Sequence, residues 1–215
     1  LSIQMELKFM ISEVLSTSWK YTKSQIWVLA GLFIGYFILS SLIGVLLMPA
    51  QGSIVGNIIA NLLSIVISCA FMLGYIKNMF QTLDGEEPQF SAYGSQSRKI
   101  VTYFVASLIY IIAVSIGIIL LIIPGIYLAV RLQFFMQFIV EENCGITESL
   151  KKSWQLTEGQ VMPLLLLLLT MIGIALVGCI LFFIGIFVAM PLIYMMQCYV
   201  FRKLNAVSAN EIQSF

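Results

Sequence analysis

No charged side chain occurs between Ser24 and Ile76, over the 53 residues SQIWVLAGLFIGYFILSSLIGVLLMPAQGSIVGNIIANLLSIVISCAFMLGYI. The stretch is interrupted by Pro49-Ala50-Gln51-Gly52, residue types that mark a turn between two helices. A helix needs about 20 mainly apolar residues to cross the hydrocarbon core of a bilayer. Because each arm is long enough for this, the stretch predicts two transmembrane helices joined by a short turn.

Two more uncharged runs follow, Ile100–Val130 and Gly159–Phe201. Of all 215 residues, 60% are hydrophobic and 10% are charged, and the mean hydropathy is +1.02. Soluble domains carry about 25% charged and about 45–50% apolar residues. The chain is therefore predicted to be an all-α, polytopic integral membrane protein.

Six transmembrane helices are predicted when these runs are divided at Gly and Pro signals. The divisions are the turn quoted above, Pro124-Gly125, and Gly185. The resulting spans are Gln25–Met48, Ile54–Ile76, Ile100–Ile123, Pro124–Val140, Val161–Phe183 and Gly185–Phe201. The fourth has only 17 residues, near the lower limit for a crossing helix, which also allows a partly re-entrant segment.

Basic residues are distributed asymmetrically around these spans, with ten of the 11 on one predicted side and no charge in the three connections opposite. They are Lys8, Lys20, Lys23, Lys77, Arg98, Lys99, Lys151, Lys152, Arg202 and Lys203. Since cytoplasmic loops are enriched in Lys and Arg, this side is predicted to be cytoplasmic, as are both termini. The N-terminal segment is charged and amphipathic, unlike a cleavable signal peptide.

An internal repeat links two segments 135 residues apart, 11–25 and 146–160. Ile, Glu, Leu, Ser, Trp, Thr and Gln recur in them at the same spacing. Both copies precede a span on the same predicted side, so the repeat is parallel. The single membrane domain, 1–215, would contain repeat units at about 5–80 and 146–203 around a central helix hairpin, 100–140. The segment 90–99 stands where a third copy would fall, but its match is weak.

The repeated segments are predicted to be amphipathic helices. Ile11, Leu15, Trp19 and Thr22 share one helical face, and Ile146, Leu150, Trp154 and Thr157 share the corresponding face. Such helices lie flat at the cytoplasmic membrane surface when Trp19 and Trp154 act as anchors at headgroup level, with Lys151 and Lys152 on the polar side. Alternatively, they are connectors packed against the helix bundle. The sequence fits both interpretations.

Arg131 is a charged residue inside an apolar run, seven residues into the fourth predicted span. An arginine at the centre of a membrane helix costs at least about 2.5–3.5 kcal/mol, and no carboxylate shares the membrane interior with it. The guanidinium must therefore reach the interface, bond backbone carbonyls at a helix break, line a water-filled cavity, or hold a phosphate. The functional hypothesis is a lipid phosphate, which suits the guanidinium fork; the alternative is an arginine that braces helix ends near Pro124-Gly125.

Paired amides also occur within the predicted spans, each pair four residues apart on one helix face. They are Asn57 with Asn61 and Gln133 with Gln137. Such amides join membrane helices more often than they bind substrate. Small residues suggest close helix packing within the chain or with a partner, as a ridge at Gly56, Ala60, Ser64 and Ser68 and as a pair at Gly31 and Gly35.

Several kinds of chemistry are excluded by composition. The chain has no histidine, which excludes Ser-His-Asp and Cys-His catalysis and histidine-ligated metals. Asp84 is its only aspartate, so an intramembrane aspartyl dyad is impossible. The four cysteines form no C-x-x-C pair, and a net charge of +1 without a basic tract gives no nucleic-acid surface. We therefore predict no catalytic residue, no metal site, no cofactor and no nucleic-acid partner.

Three local patterns, in this order, resemble one known family. They are Gly85–Phe90 (GEEPQF), Pro124–Leu132 (PGIYLAVRL) and Glu148–Gly159 (ESLKKSWQLTEG). Together they resemble the bacterial glycerophosphodiester phosphodiesterase membrane-domain family, six-helix proteins in which some members carry a fused phosphodiesterase. The resemblance covers essentially the whole chain and implies a bacterial inner-membrane protein. The histidines and acidic metal ligands of the phosphodiesterase are missing, so it implies no enzyme activity here.

Two classes of function remain open at this point. The leading prediction is a non-catalytic membrane protein that acts as an accessory or scaffold subunit of an envelope complex, or as a lipid-binding module. Its partners would be membrane lipids and a membrane-protein complex. The alternative is a small transporter or channel, which would need a continuous cavity past Arg131, Asn57 and Asn61. Against it stand the parallel repeat and the lack of a coupling carboxylate.

Overall fold

The structure, a computed structural model, describes residues 8–180 and 185–213, and its regular elements there are all helices. The α-helices are α1 (Ile11–Ser24), α2 (Ile26–Leu47), α3 (Ile54–Leu83), α4 (Ser91–Gln96), α5 (Ile100–Leu120), α6 (Ile122–Leu132), α7 (Phe135–Glu142), α8 (Ile146–Leu156), α9 (Val161–Ile180) and α10 (Ile186–Gln213). Short 3-10 turns cover Met48–Gly52 and Ser97–Lys99. The predicted all-α fold class is confirmed for these residues.

Five helical stretches among the described residues are long and apolar enough to cross a membrane. They are Ile26–Leu47, Ile54–Leu83, Ser91–Leu120, Ile122–Glu142 and Val161–Ile180. They match the first five predicted spans, although the end of the fifth, residues 181–183, lies outside the described residues. The sixth predicted span, apart from Gly185, falls within α10, which is not one of the five.

The turn between α5 and α6 corrects the predicted break at Pro124-Gly125. The chain turns at Leu121, which is extended (φ −160°, ψ 134°). Pro124 lies inside the first turn of α6, where the missing N–H group leaves no helical hydrogen bond unmade. Gly125 instead permits close packing against α5: a Cβ atom there would lie 2.5 Å from the backbone nitrogen of Ile118.

A second break separates α6 from α7 at Gln133 and Phe134, without any Gly or Pro. The carbonyl of Arg131 accepts hydrogen bonds from Ser153 Oγ (3.0 Å) and Thr157 Oγ1 (3.1 Å). The N–H group of Phe134 donates to Ser153 Oγ (3.0 Å). Side chains of α8 and the turn after it thus bond backbone groups at the break. The prediction that Gln133 and Gln137 share one face of one helix is therefore wrong, because Gln133 lies in the break and Gln137 in α7.

The buried core lies at one end of the bundle. It combines the C-terminal part of α3 (Tyr75 and Phe80), residues 135–140 of α7, and α10 around Phe201. Half of the most apolar 18-residue window of Ile122–Glu142 is buried, against 6% for α2 and 11% for α3. The second half of α2 and the first half of α3 thus present most of their apolar side chains outwards. The helix α3 continues to Leu83, seven residues beyond the predicted end of the second span. These added residues pack into the core.

Three shorter helices cover this core. The helix α1 packs on α10, α4 packs on α3, and α8 packs on α7. The buried face of α1 passes through Val14, Ser18 and Thr22. The arrangement brings α8 beside Arg131 and the break that follows it.

Candidate functional site

Arg131 is enclosed by aromatic side chains of two elements. Only 4% of its surface is exposed. Its guanidinium carbon lies 4.3 Å from the centre of the Trp154 ring on α8 and 5.8 Å from that of Tyr127, one turn earlier on α6. The two rings meet edge to face with centres 5.8 Å apart. A cation over an aromatic face is stabilised electrostatically without a counter-ion.

The guanidinium edge of Arg131 makes no hydrogen bond and no ion pair with any described residue. Its Nε atom is fully enclosed and unpaired. The two terminal nitrogens are also unpaired but keep a small contact with solvent. An arginine has five N–H donors in a planar fork that matches phosphate or carboxylate oxygens. The site therefore offers a buried cation with free donors.

The backbone at Arg131 is held in place by the repeated segment. Ser153 and Thr157, both fully buried, donate to its carbonyl oxygen. Their counterparts in the first copy, Ser18 and Thr22, are also fully buried, but their hydroxyl groups have no partner among the described residues. The two copies thus present the same side chains in two different hydrogen-bonding environments.

The amides of α3 are placed away from Arg131. Asn57 and Asn61 are exposed, and Asn61 Nδ2 donates to both the backbone oxygen (2.8 Å) and Oδ1 (2.7 Å) of Asn57. Five cavities described in the structure are lined by neither of these residues nor by Arg131. The structure does not bring the three polar candidates together.

The two glutamine candidates lie deeper in the core. Gln133 donates from Nε2 to the carbonyl of Val130 (3.0 Å), and its Oε1 atom is enclosed without a partner. Gln137 is fully buried, and neither atom of its amide has a partner among the described residues. Neither joins the guanidinium of Arg131 by a hydrogen bond.

The predicted anchors occupy different environments. Trp19 and Trp154 are 42% and 37% exposed. Lys151 is exposed, whereas Lys152 pairs with Glu142 (2.9 Å) and Glu148 (3.1 Å). These two carboxylates raise the pKa of Lys152 above its ordinary value, chiefly through the hydrogen bond to Glu142. Lys152 therefore ties α8 to α7, while Lys151 is left available at the surface of α8.

A layer of ion pairs at the core end of the bundle was not predicted. Arg202 of α10 pairs with both oxygens of Asp84 and with Glu141 Oε1 (2.7 Å), and Lys77 Nζ lies 3.8 Å from Glu141 Oε2. On the other side of α10, Lys203 and Tyr199 both bond Glu13 Oε1. In the sequence, these charged residues stand just beyond the apolar runs. Which of them pair could not be predicted, because the partners are far apart in the chain.

A groove of about 550 Å³ runs along α2, α3 and α4. Aromatic and small residues contribute to its lining, among them Trp27, Gly31, Gly35, Ala70, Phe71 and Tyr93. A Cβ atom added at Gly31 or Gly35 would meet no other atom within 4 Å. These two glycines therefore do not mediate close helix packing within the chain.

No group of three or more Cys, Asp or Glu side chains that could share a metal ion occurs in residues 8–180 and 185–213. Comparison with known proteins gives one family: residues 52–214 match the model described as Domain of unknown function (DUF7847). Searches of the curated proteins and of the solved structures found no match.

Proposed function

The chain belongs to the family Domain of unknown function (DUF7847), and we propose from its own side chains that it is a non-catalytic membrane module that binds the phosphate of an anionic phospholipid at Arg131. One observation carries the proposal. Arg131 is 96% buried and its guanidinium is stacked on Trp154, yet the edge of that group has no hydrogen-bond partner or counter-ion among the described residues.

The chemistry favours a phosphate over the alternatives considered for Arg131. A bracing role would require the guanidinium to donate to backbone carbonyls, but the bracing hydrogen bonds come from Ser153 and Thr157. Burying a charge without compensation is costly, whereas hydrogen bonds to a charged partner stabilise by about 1.5–3 kcal/mol. A headgroup phosphate supplies that partner, and its acyl chains suit the exposed apolar surface of the neighbouring helices.

The proposal includes a specific membrane topology. Six spans, with α10 as the sixth, place Arg202 and Lys203 on the same side as the other lysines, which is the cytoplasmic side of a bacterial inner membrane. In this topology α1 and α8 are the interfacial helices, with Trp19 and Trp154 as anchors and Lys151 beside the headgroups. The likeness to the glycerophosphodiester phosphodiesterase membrane domains is part of the same proposal.

An accessory or scaffold subunit is the second candidate, favoured by the groove at Gly31 and Gly35. The open space over both glycines can accept a transmembrane helix of another protein at close range. A transporter or channel stays the alternative to both. It gains no support from Asn57 and Asn61, since they line none of the five described cavities.

The test is lipid binding by the full-length chain, measured with native mass spectrometry after delipidation. Phosphatidylglycerol should bind, and diacylglycerol, which lacks the phosphate, should not. Arg131→Gln should weaken phosphatidylglycerol binding about 10–100-fold, the equivalent of the lost charged hydrogen bonds. The matched control is Arg98→Gln, an exposed arginine in the 3-10 turn before α5, which should bind as the wild type does.

Two results would contradict the proposal. Equal binding of phosphatidylglycerol by the wild type and by Arg131→Gln would show that the headgroup lies elsewhere. Displacement of the lipid by millimolar inorganic phosphate would assign the site to a free phosphate instead of a lipid.

A further inference from the structure

A polar stripe follows one face of α3. Asn57, Asn61, Ser64 and Ser68 are spaced four, three and four residues apart, which keeps them within a narrow sector of the helix. All four are exposed. The stripe extends for about 16 Å along the helix axis at a rise of about 1.5 Å per residue.

Two polar groups of the stripe make no hydrogen bond within the described residues. Ser64 Oγ donates to the carbonyl of Ala60 (2.9 Å), and Ser68 Oγ bonds the hydroxyl of Tyr36 (2.8 Å). Asn61 uses its amide nitrogen on Asn57. The Nδ2 group of Asn57 and the Oδ1 atom of Asn61 have no partner among the described residues.

The surroundings of the stripe make these free groups significant. Ile54–Leu83 is one of the stretches able to span a membrane, and the side chain of Ile54 beside the stripe is 83% exposed. Hydrocarbon offers neither donor nor acceptor, so an amide facing it loses the hydrogen bonds that it makes in water. A polar stripe within an otherwise apolar helix surface is the pattern by which membrane helices associate.

We propose that this face of α3 is the interface of a symmetric dimer with a second copy of the chain. The free donor of Asn57 and the free acceptor of Asn61 lie on one surface, so the patch is complementary to itself, as a twofold interface requires. The stripe carries no formal charge, so two copies meet without repulsion. A lipid acyl chain cannot occupy this patch equally well, since an acyl chain forms no hydrogen bond with Asn57 or Asn61.

The proposal does not depend on a lipid at Arg131, which lies on α6. It also differs from the scaffold candidate, whose groove lies at Gly31 and Gly35 of α2 and takes a different protein.

Cysteine cross-linking of the full-length chain in phospholipid vesicles tests the geometry. A single cysteine replaces Ser64 in a background in which the exposed Cys179 is changed to alanine; the other three native cysteines are buried. Disulfide-linked dimers should form from position 64. The matched controls are cysteines at Ile58 and Leu62, which are 54% and 57% exposed but point away from the stripe. Equal or stronger cross-linking at positions 58 and 62 would overturn the proposal.

Energy transfer between labelled copies at decreasing protein density measures the association itself. The double variant Asn57→Leu/Asn61→Leu should reduce dimer association at least tenfold, while the volume-preserving control Ile58→Leu/Leu62→Ile should leave it unchanged. A wild type that is monomeric at all densities would overturn the proposal. So would capture, in the native membrane, of a different protein by a cross-linker at position 64 in place of a second copy.

Discussion

The guanidinium carbon of Arg131 lies 4.3 Å from the centre of the Trp154 ring, which joins α6 to a helix that follows it in the chain. The same pair of segments is joined a second time by Ser153 and Thr157, which bond the carbonyl of Arg131. One residue is thus held through both its side chain and its backbone. The free edge of the cation is thereby fixed in direction, which is what a headgroup site requires.

Replacing Trp154 by alanine should reduce the thermal stability of the protein in phospholipid nanodiscs. A cation–aromatic contact contributes about 0.5–2 kcal/mol, and its loss leaves the buried guanidinium with only Tyr127 nearby. The control is Trp19→Ala, at the equivalent position of the first repeat copy, where no cation–aromatic contact occurs within the described residues. Equal losses for the two variants would mean that Trp154 acts only through its apolar surface.

The repeat copies allow the hydroxyl groups to be tested as matched pairs. Ser153→Ala/Thr157→Ala leaves the Arg131 carbonyl and the Phe134 N–H group without these partners, and each buried group left unpaired costs about 1–3 kcal/mol. Ser18→Ala/Thr22→Ala removes hydroxyls that have no partner, so the free energy of unfolding should stay the same or rise. Thermal unfolding of both variants is the measurement; a comparable loss from the first copy would refute the difference between them.

Alanine substitutions should destabilise the protein at glycines that contact another helix and have no effect at glycines that face open space. In Gly125→Ala the new Cβ would lie 2.3 Å from Ile118 Cγ1 and 2.5 Å from its backbone nitrogen, so α5 and α6 must separate. Overpacking of this kind costs about 1–3 kcal/mol. Gly31→Ala meets nothing within 4 Å and should unfold at the wild-type temperature. Tolerance of Gly125→Ala would show that α5 and α6 can move apart without loss of stability.

The Asp84–Arg202 pair should stabilise the protein at neutral pH and fail in acid. The hydrogen bonds that Arg202 donates to the Asp84 carboxylate hold the pKa of Asp84 below its ordinary value of 3.8. A carboxylate with a lowered pKa stabilises the fold above its unfolded-state pKa, and this contribution disappears as the pH falls through the folded-state value.

Asp84→Asn should therefore lower the free energy of unfolding by about 1 kcal/mol or less, because the carboxylate is nearly half exposed and screened by solvent. The difference from the wild type should be constant from pH 7 to pH 5 and shrink below about pH 4. Unfolding by denaturant across this range measures it, with Glu87→Gln, an exposed carboxylate, as the control. A difference that grew on acidification would contradict the assigned sign.

Hydropathy predicted correctly the helices whose ends are marked by the limits of an apolar run. The predicted first span, Gln25–Met48, differs from α2 by one residue at each end, because an uncharged run and a Pro-Gly turn determine both limits. The break at Gln133 was not predictable in this way. No Gly or Pro marks it, and the groups that stabilise it, Ser153 and Thr157, come about 20 residues later.

The candidate site was predicted only in part, for a similar reason. A lone arginine in an apolar run identified Arg131, since such a residue is costly wherever it lies. Its aromatic partner could not be read from the sequence, because Trp154 belongs to a segment whose packing on α6 and α7 depends on the whole bundle. The same holds for Arg202 and Asp84, which are 118 residues apart.

The packing of α1 on α10 affects the order in which this protein can be completed during synthesis. Glu13 finds its partners, Tyr199 and Lys203, only on the last described helix. While the ribosome is still translating the intervening helices, α1 cannot make these contacts. This docking step therefore follows the synthesis of all the intervening helices, and a chain stopped before Tyr199 would lack both of these partners of Glu13.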